Sequence, residues 1–242
     1  MAIKKYIPNT FTMANLFCGC MATLFAMNNH LEWAAGFVAV GVFFDFFDGF
    51  FARILNAQSE LGLQLDSLAD MVTSGLVPGV VMYKLLDEAT GTPWGTVLTS
   101  LHFNIAYLGF AITLASAYRL AKFNIDSEQT SSFKGLPTPA NTIFILSLPL
   151  ILLYGEYAFA EEALKNPYVL LAITALSCWA LNSKMSLFAL KFKSWAFAEN
   201  KVRYAFLILA ALLLIFFKFL GIPLIIILYV VMSLLFREKN QD

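Results

Sequence analysis

Charge is scarce in this chain. Of its 242 residues only 13% are Asp, Glu, Lys or Arg, where an ordinary soluble domain carries about 25%. Apolar residues reach 60% and mean hydropathy is +0.73, which excludes a standard soluble domain and a disordered chain. Lys+Arg and Asp+Glu both number 16, so no charge excess points to nucleic acid or another polyanion. Cysteine is nearly absent. Cys18, Cys20 and Cys178 lie in apolar runs without a C-x-x-C pair or a neighbouring histidine, and read as small hydrophobes rather than a disulfide or metal framework. His30 and His102 fall on the predicted outer side and read as interfacial residues. There is no internal repeat, low-complexity tract or second domain, so one domain over 1–242 is expected. Met1–Asn9 carries Lys4 and Lys5, but the apolar run behind it has no small-residue cleavage site and reads as a first transmembrane helix, not a signal peptide. What remains is an all-α, polytopic bundle of spanning helices, the architecture that satisfies backbone polar groups within lipid.

A span needs about 20 mostly apolar residues. Such runs fall near 11–29, 32–54, 66–86, 96–122, 140–159, 166–183, 203–220 and 222–236, with Gly221 and Pro223 dividing the last two. About eight spans are therefore expected. With the N-terminus inside, the inner segments collect Lys4, Lys5, Arg53, Arg119, Lys122, Lys134, Lys184, Lys191, Lys193, Lys201, Arg203, Arg237 and Lys239. The outer segments hold Lys84, Lys165 and Lys218 alone. By the positive-inside rule both termini are cytoplasmic. Segment 184–199 mixes lysines with Phe188, Phe192, Trp195 and Phe197 and suits the inner membrane surface. Trp33, Trp94 and Trp179 fall near span ends, as an aromatic belt requires.

Against this background four aspartates stand out. Asp45 and Asp48 end the second run in GVFFDFFDGFFARIL, and Asp66 and Asp70 open the third in LQLDSLADMVTSGLV. Each costs about 2.5–3.5 kcal/mol at a helix centre, roughly 10–14 kcal/mol for four. Arg53 is the one cation close in sequence. Asp45 and Asp48 share a helical face at i,i+3, and Asp66 and Asp70 share one at i,i+4. Two antiparallel helices would thus aim four hard oxygen donors at one point, which favours Mg²⁺ or Mn²⁺ over zinc and is enough for a two-ion site suited to displacement at phosphorus. Arg53 is a fork that fits a phosphate. Gly49 and Ala52 keep the same face open, and Gly62 permits a turn or close approach in the inner loop. The competing readings are a polar face packed between helices and a cation transporter. The second would spread acidic residues through the membrane depth and break helices in both halves, whereas these cluster at one end of two consecutive spans.

The pattern Asp45-x₂-Asp48-Gly49-x₂-Ala52-Arg53-x₈-Gly62-x₃-Asp66-x₃-Asp70 resembles the signature of the CDP-alcohol phosphotransferase family at every spaced position. The resemblance implies a membrane enzyme that moves a phosphatidyl-type group from a CDP-linked donor to an alcohol and releases CMP. It implies that Asp45, Asp48, Asp66 and Asp70 face two Mg²⁺ or Mn²⁺ ions, with Asp70 as general base. Asp45, Gly49, Ala52, Arg53 and Gly62 would contact the CDP portion, together with Asn9, Thr10 and Asn15, for which capping of the first helix is the alternative.

Two further stretches, Ile7–Gly19 and Phe133–Asn141, are similar to the family's integral-membrane, serine-accepting branch. That branch takes CDP-diacylglycerol as donor and L-serine as acceptor. Asn141 departs from it, standing where a small residue is usual, and a proline usual near Met185–Leu187 is missing. Gly135-Leu136-Pro137-x-Pro139 reads as a rigid turn whose backbone N–H groups could receive a carboxylate, with Lys134, Arg119 and Lys122 as cations. Arg119, Lys134, Gly135 and Pro137 are thus the acceptor candidates, and the bland alternative is a structural turn with solvated lysines. The same chemistry on glycerol 3-phosphate or inositol is the nearest rival. The resemblance also implies a homodimer among membrane lipids of a bacterial or archaeal cytoplasmic membrane, with the site facing the cytoplasm and no nucleic acid partner.

Overall fold

The computed structural model describes residues 3–91, 104–125, 133–155, 157–187 and 200–236. The readings for Trp94, His102, Trp195 and residues 188–199 lie outside the described residues, and of Lys134 only the backbone is described. Two long helices open the chain, α1 (Ile3–Met27) and α2 (Leu31–Ile54), joined by a turn in which Asn29 takes φ 63°. Ala22, Ala26 and Ala34 are fully buried where the two come together. Nearer the other end, Phe11 stacks on Phe47 and Phe51 of α2.

The next junction positions the aspartates. Asn56 takes φ 49° just beyond α2, a left-handed conformation that asparagine tolerates. The N–H of Asn56 then donates to the Arg53 carbonyl, and that of Ala57 to the Ala52 carbonyl, which closes the helix end as a Schellman motif. Ser59 starts the following helix, α3 (Glu60–Asp70), by accepting the Gly62 N–H at 3.0 Å. The third apolar run therefore becomes helical at residue 60, six residues before its apolar part begins, because the cap sits at Ser59.

A π-helical segment, Met71–Leu76, separates α3 from α4 (Val77–Ala89). Pro78 explains part of it. In α register the Ser74 carbonyl would accept from the N–H of residue 78, and proline has none. The Thr142 hydroxyl serves that carbonyl instead, its proton shared between the Ser74 carbonyl and its own helix's Thr138 carbonyl at 2.8 Å each, and Thr113 serves the Gly75 carbonyl at 3.0 Å. Thr142→Val should therefore leave a buried carbonyl unpaired and cost about 1–3 kcal/mol. In a Pro78→Ala background, where the N–H returns, thermal unfolding in detergent should show most of that cost gone. Equal costs in both backgrounds would refute the substitution of one donor for the other.

A 3₁₀ segment, Ile105–Phe110, leads into α5 (Ala111–Ile125). It lies backbone to backbone on α4, since a Cβ at Gly109 would stand 2.5 Å from the Tyr83 nitrogen. Then come α6 (Thr138–Tyr154), α7 (Ala158–Leu164), α8 (Pro167–Asn182) and α9 (Lys201–Leu235). A two-residue antiparallel ladder pairs β1 (Phe133–Lys134) with β2 (Ser186–Leu187). The main core gathers α1, α2, α4, α5, α6, α7 and α8 around Val81, Met82, Leu86, Ile112 and Ile145.

The expectation of eight spans is met only coarsely. Among the described residues four helices are long and apolar enough to cross a membrane, or five if α7 and α8, bent by 79°, count as one span. α6 has 17 residues, and of the fourth run only 104–122 is described. α9 is the long one. Drawn straight, its 35 residues would reach about 52 Å at 1.5 Å per residue, beyond a hydrocarbon core of about 30 Å. It does not run straight. Lys218 breaks the helix at φ 47°, ψ −122°, and a Cβ at Gly221 would collide with the Leu213 carbonyl. The Phe206 and Tyr229 rings stand 5.8 Å apart. α9 is thus two arms folded back on each other, and the reversal sits at Lys218 rather than at the Gly221/Pro223 position read from the sequence. Gly221 marks the close approach of the arms.

Candidate active site

The fold brings three of the four aspartates together. Carboxylate oxygens of Asp45, Asp48 and Asp66 all lie within 4.8 Å of one another, with Asp48 buried and the other two half-buried. The i,i+3 spacing puts Asp45 and Asp48 on one face of α2, and the short junction at Asn56–Ser59 turns α3 back so that Asp66 meets them. Among the described residues no lysine or arginine forms an ion pair with this trio. Arg53 is exposed and turns its Nε to its own helix, donating to the Gly49 carbonyl at 2.8 Å. Three hard oxygen donors with no protein cation to balance them suit a divalent metal such as Mg²⁺ or Mn²⁺.

Asp70 stands one turn beyond Asp66 and outside the tight trio, yet within electrostatic range of Asp45, Asp48 and Asp66. Its Oδ1 accepts from Asn15 Nδ2 at 3.5 Å. Buried Arg119 on α5 faces Asp70 electrostatically, and its Nε has no hydrogen-bond partner. Arg119 also lines a small recess with Lys122, Asn182, Ser183 and Lys184. Ser67 and Asn124 exchange hydrogen bonds at 3.1 and 2.9 Å and tie α5 to α3 beside Asp66.

The expected nucleotide contacts separate. Because α1 begins at Ile3, none of Asn9, Thr10 and Asn15 caps it. Asn9 lies at the start of α3, where a Cβ on Gly62 would meet its Oδ1 at 3.3 Å. Gly49 lies beneath the Arg53 guanidinium, 3.7 Å from it on the same measure, and Ala52 gives its carbonyl to the helix end. Thr10 is exposed and donates to the Tyr6 carbonyl, on the side of α1 away from the aspartates. Asn15 is 0% exposed, sealed in the bundle. Sequence reasoning missed Thr12, whose hydroxyl donates to Asp48 Oδ2 at 2.7 Å. A threonine three residues ahead of a polar Asn15 on one face of an apolar helix was the available signal.

The open backbone N–H groups expected at the Gly135 turn are corrected. Gly135 N–H donates to the Met185 carbonyl at 2.8 Å and Leu136 N–H to the Ala180 carbonyl at 2.9 Å, so both are spent closing the end of α8. Gly135 takes φ +78° there, and Pro137 precedes α6 in extended conformation. Asn141 is fully buried, and its side-chain amide has no hydrogen-bond partner.

Comparison with known sequences adds to this geometry. A relative from Bacillus subtilis (strain 168), named CDP-diacylglycerol–serine O-phosphatidyltransferase, is 34% identical over 156 residues, 62% of this chain and 82% of the relative. Relatives of the same name from Helicobacter pylori (strain J99) and Saccharomyces cerevisiae are 30% and 31% identical, covering 64% and 61% of this chain but only 60% and 55% of their own lengths. The sequence model for CDP-alcohol phosphatidyltransferases matches residues 5–179, a stretch that holds all four aspartates, Thr12, Arg119 and the Gly135 turn. The chain belongs to the CDP-alcohol phosphatidyltransferase family.

Proposed function

We propose that this chain transfers the phosphatidyl group from CDP-diacylglycerol to the hydroxyl of L-serine, giving phosphatidylserine and CMP. The observation that carries the reading is the trio of carboxylates within 4.8 Å, set where the family signature falls. The serine acceptor is supported by the relatives, which carry that activity in their names.

In this reading Asp45, Asp48 and Asp66, with Asp70 at the edge, hold two Mg²⁺ or Mn²⁺ ions. When bound, such ions neutralise the pyrophosphate and the charge that develops on departing CMP. Asp70 accepts the proton of the serine hydroxyl, the serine oxygen bonds to the β-phosphorus, and the bond from that phosphorus to the CMP oxygen breaks. Arg53 and Asn9, with Gly49, Ala52 and Gly62 leaving room, receive the CDP portion. Arg119 receives the serine carboxylate with Lys134 beside it, and the Gly135–Pro137 turn, whose N–H groups are already spent within the protein, bounds the acceptor side by its shape alone. In this reading the chain is one domain over 1–242 that crosses a bacterial or archaeal membrane eight times, counting α9 as two, with both termini and the site on the cytoplasmic side. The positive-inside distribution supports that orientation. The enzyme works as a homodimer.

One observation favours a second reading. The recess of Arg119, Lys122 and Lys184 carries more positive charge than a serine carboxylate needs, and a phosphorylated acceptor such as glycerol 3-phosphate would use it. Purified protein in detergent, given CDP-diacylglycerol and Mn²⁺ with serine, glycerol 3-phosphate or inositol in parallel, should release CMP with serine alone. Release with glycerol 3-phosphate instead would move the acceptor assignment and keep the metal site.

A further inference from the structure

Thr12 and Asn15 stand at i,i+3 on α1, and each reaches a carboxylate on a different helix. Thr12 Oγ1 donates to Asp48 Oδ2 on α2 at 2.7 Å, and Asn15 Nδ2 donates to Asp70 Oδ1 on α3 at 3.5 Å. α1 packs against both of those helices. Both donors are sealed from solvent, Thr12 at 3% and Asn15 at 0% exposure. Asn15 is also fixed from outside its own helix. Thr73 Oγ1 donates to its carbonyl at 3.2 Å, and a Cβ at Gly41 would come within 2.9 Å of Asn15 Oδ1. Only glycine at 41 leaves room for that amide.

We infer that Thr12 and Asn15 are positioning residues, which from α1 set the separation and direction of the carboxylates carried by α2 and α3. The inference rests on the reading of the cluster as a metal site. Like charges on the facing ends of α2 and α3 push them apart, and the arginine that α2 carries there, Arg53, is exposed and turned to its own Gly49 carbonyl. A neutral donor on a third helix holds one oxygen of each carboxylate and leaves the other to offer, at no cost in charge. This role replaces nucleotide contact for Asn15, whose burial leaves no surface to meet CDP. Outer partners of this kind set metal affinity or activity by 10–100-fold.

The test is Mn²⁺ binding to purified full-length protein in detergent, measured by the loss of the free-ion electron paramagnetic resonance signal, alongside turnover. Each variant is checked for a monodisperse gel-filtration profile. Thr12→Val, which keeps the shape and loses the hydroxyl, should weaken Mn²⁺ binding about tenfold or more, and Thr12→Ser should restore it to within about threefold. Asn15→Leu should lower kcat with Mn²⁺ affinity and the KM for CDP-diacylglycerol little changed. Folded Thr12→Val that binds Mn²⁺ like wild type, or Thr12→Ser as impaired as Thr12→Val, overturns the role of Thr12. A raised donor KM with intact kcat in Asn15→Leu overturns the role of Asn15 and returns it to the nucleotide. Wild-type protein that binds no Mn²⁺ overturns the metal reading itself, and this inference with it.

Discussion

Asp48→Asn should abolish metal-dependent CMP release, by about a thousandfold or more, and at the same time raise the thermal stability of the metal-free protein. Both effects come from the trio. The three carboxylates lie within 4.8 Å of one another, and unit charges at that limit repel by roughly 3 kcal/mol at an effective dielectric constant near 20, so three such groups make three repelling pairs. Neutralising Asp48 removes two of them. The amide oxygen of the new asparagine can still accept from Thr12, so the fold keeps its contact. Stability and function oppose each other here because the repulsion is what a bound cation would offset. The measurement is Tm in detergent with chelator and then with Mg²⁺. Wild type should gain stability from the ion by mass action, and Asp48→Asn should start higher and gain little. Asp70→Asn separates the roles. It should keep most of the ion-induced gain and still lose turnover by about 10²–10⁴-fold, the range of a general base. An Asp48→Asn protein with the wild-type response to Mg²⁺ would refute the assignment of Asp48 as a ligand.

Gly135→Ala should be among the most damaging single-methyl additions in the chain. At φ +78° an alanine pays about 1–2 kcal/mol in backbone conformation alone. Its Cβ would also stand 2.5 Å from the Leu181 carbonyl oxygen and 3.0 Å from that of Ser183. These are backbone atoms at the end of α8 and cannot swing aside as a flexible side chain would. Relief requires the turn to move, which lengthens the Gly135–Met185 and Leu136–Ala180 hydrogen bonds. A total loss of about 3 kcal/mol or more follows, at the upper end of single substitutions. Gly36→Ala is the matched control. It lies within α2 with nothing inside 4 Å of the added Cβ, and should be neutral or stabilising by up to about 1 kcal/mol. Equal melting temperatures for the two variants would contradict the geometry of the turn.

The aspartates and their family were legible from the sequence because charge in an apolar helix is costly and therefore informative. Spacing then settled which residues share a face. Thr12 was not legible as a partner, since a threonine in an apolar helix costs little and its carboxylate lies 36 residues away. The same limit applies to Thr142, whose use becomes visible only once Pro78 and the π-helical segment are known. The Gly135 turn was read as a turn correctly, but whether its N–H groups face a ligand or the protein depends on where α8 ends. For α9, hydropathy located an interruption, yet reversal demands a residue with unusual dihedral angles, and nothing in the identity of Lys218 announces them.

The fold-back within α9 carries a consequence for sidedness that does not depend on the total number of crossings. A chain that enters a bilayer and returns has crossed an even number of times, so Asn200 and Phe236 must open onto the same compartment. Each arm is about 17 residues, close to 25 Å at helical rise, which is slightly thin for an ordinary bilayer. Such a pair gains by inserting together, each arm shielding the other while the apex with Lys218 is carried to the far side. Single cysteines placed just before residue 200 and just after 236 should then react with the same impermeant thiol reagent, from the same face of a sealed vesicle.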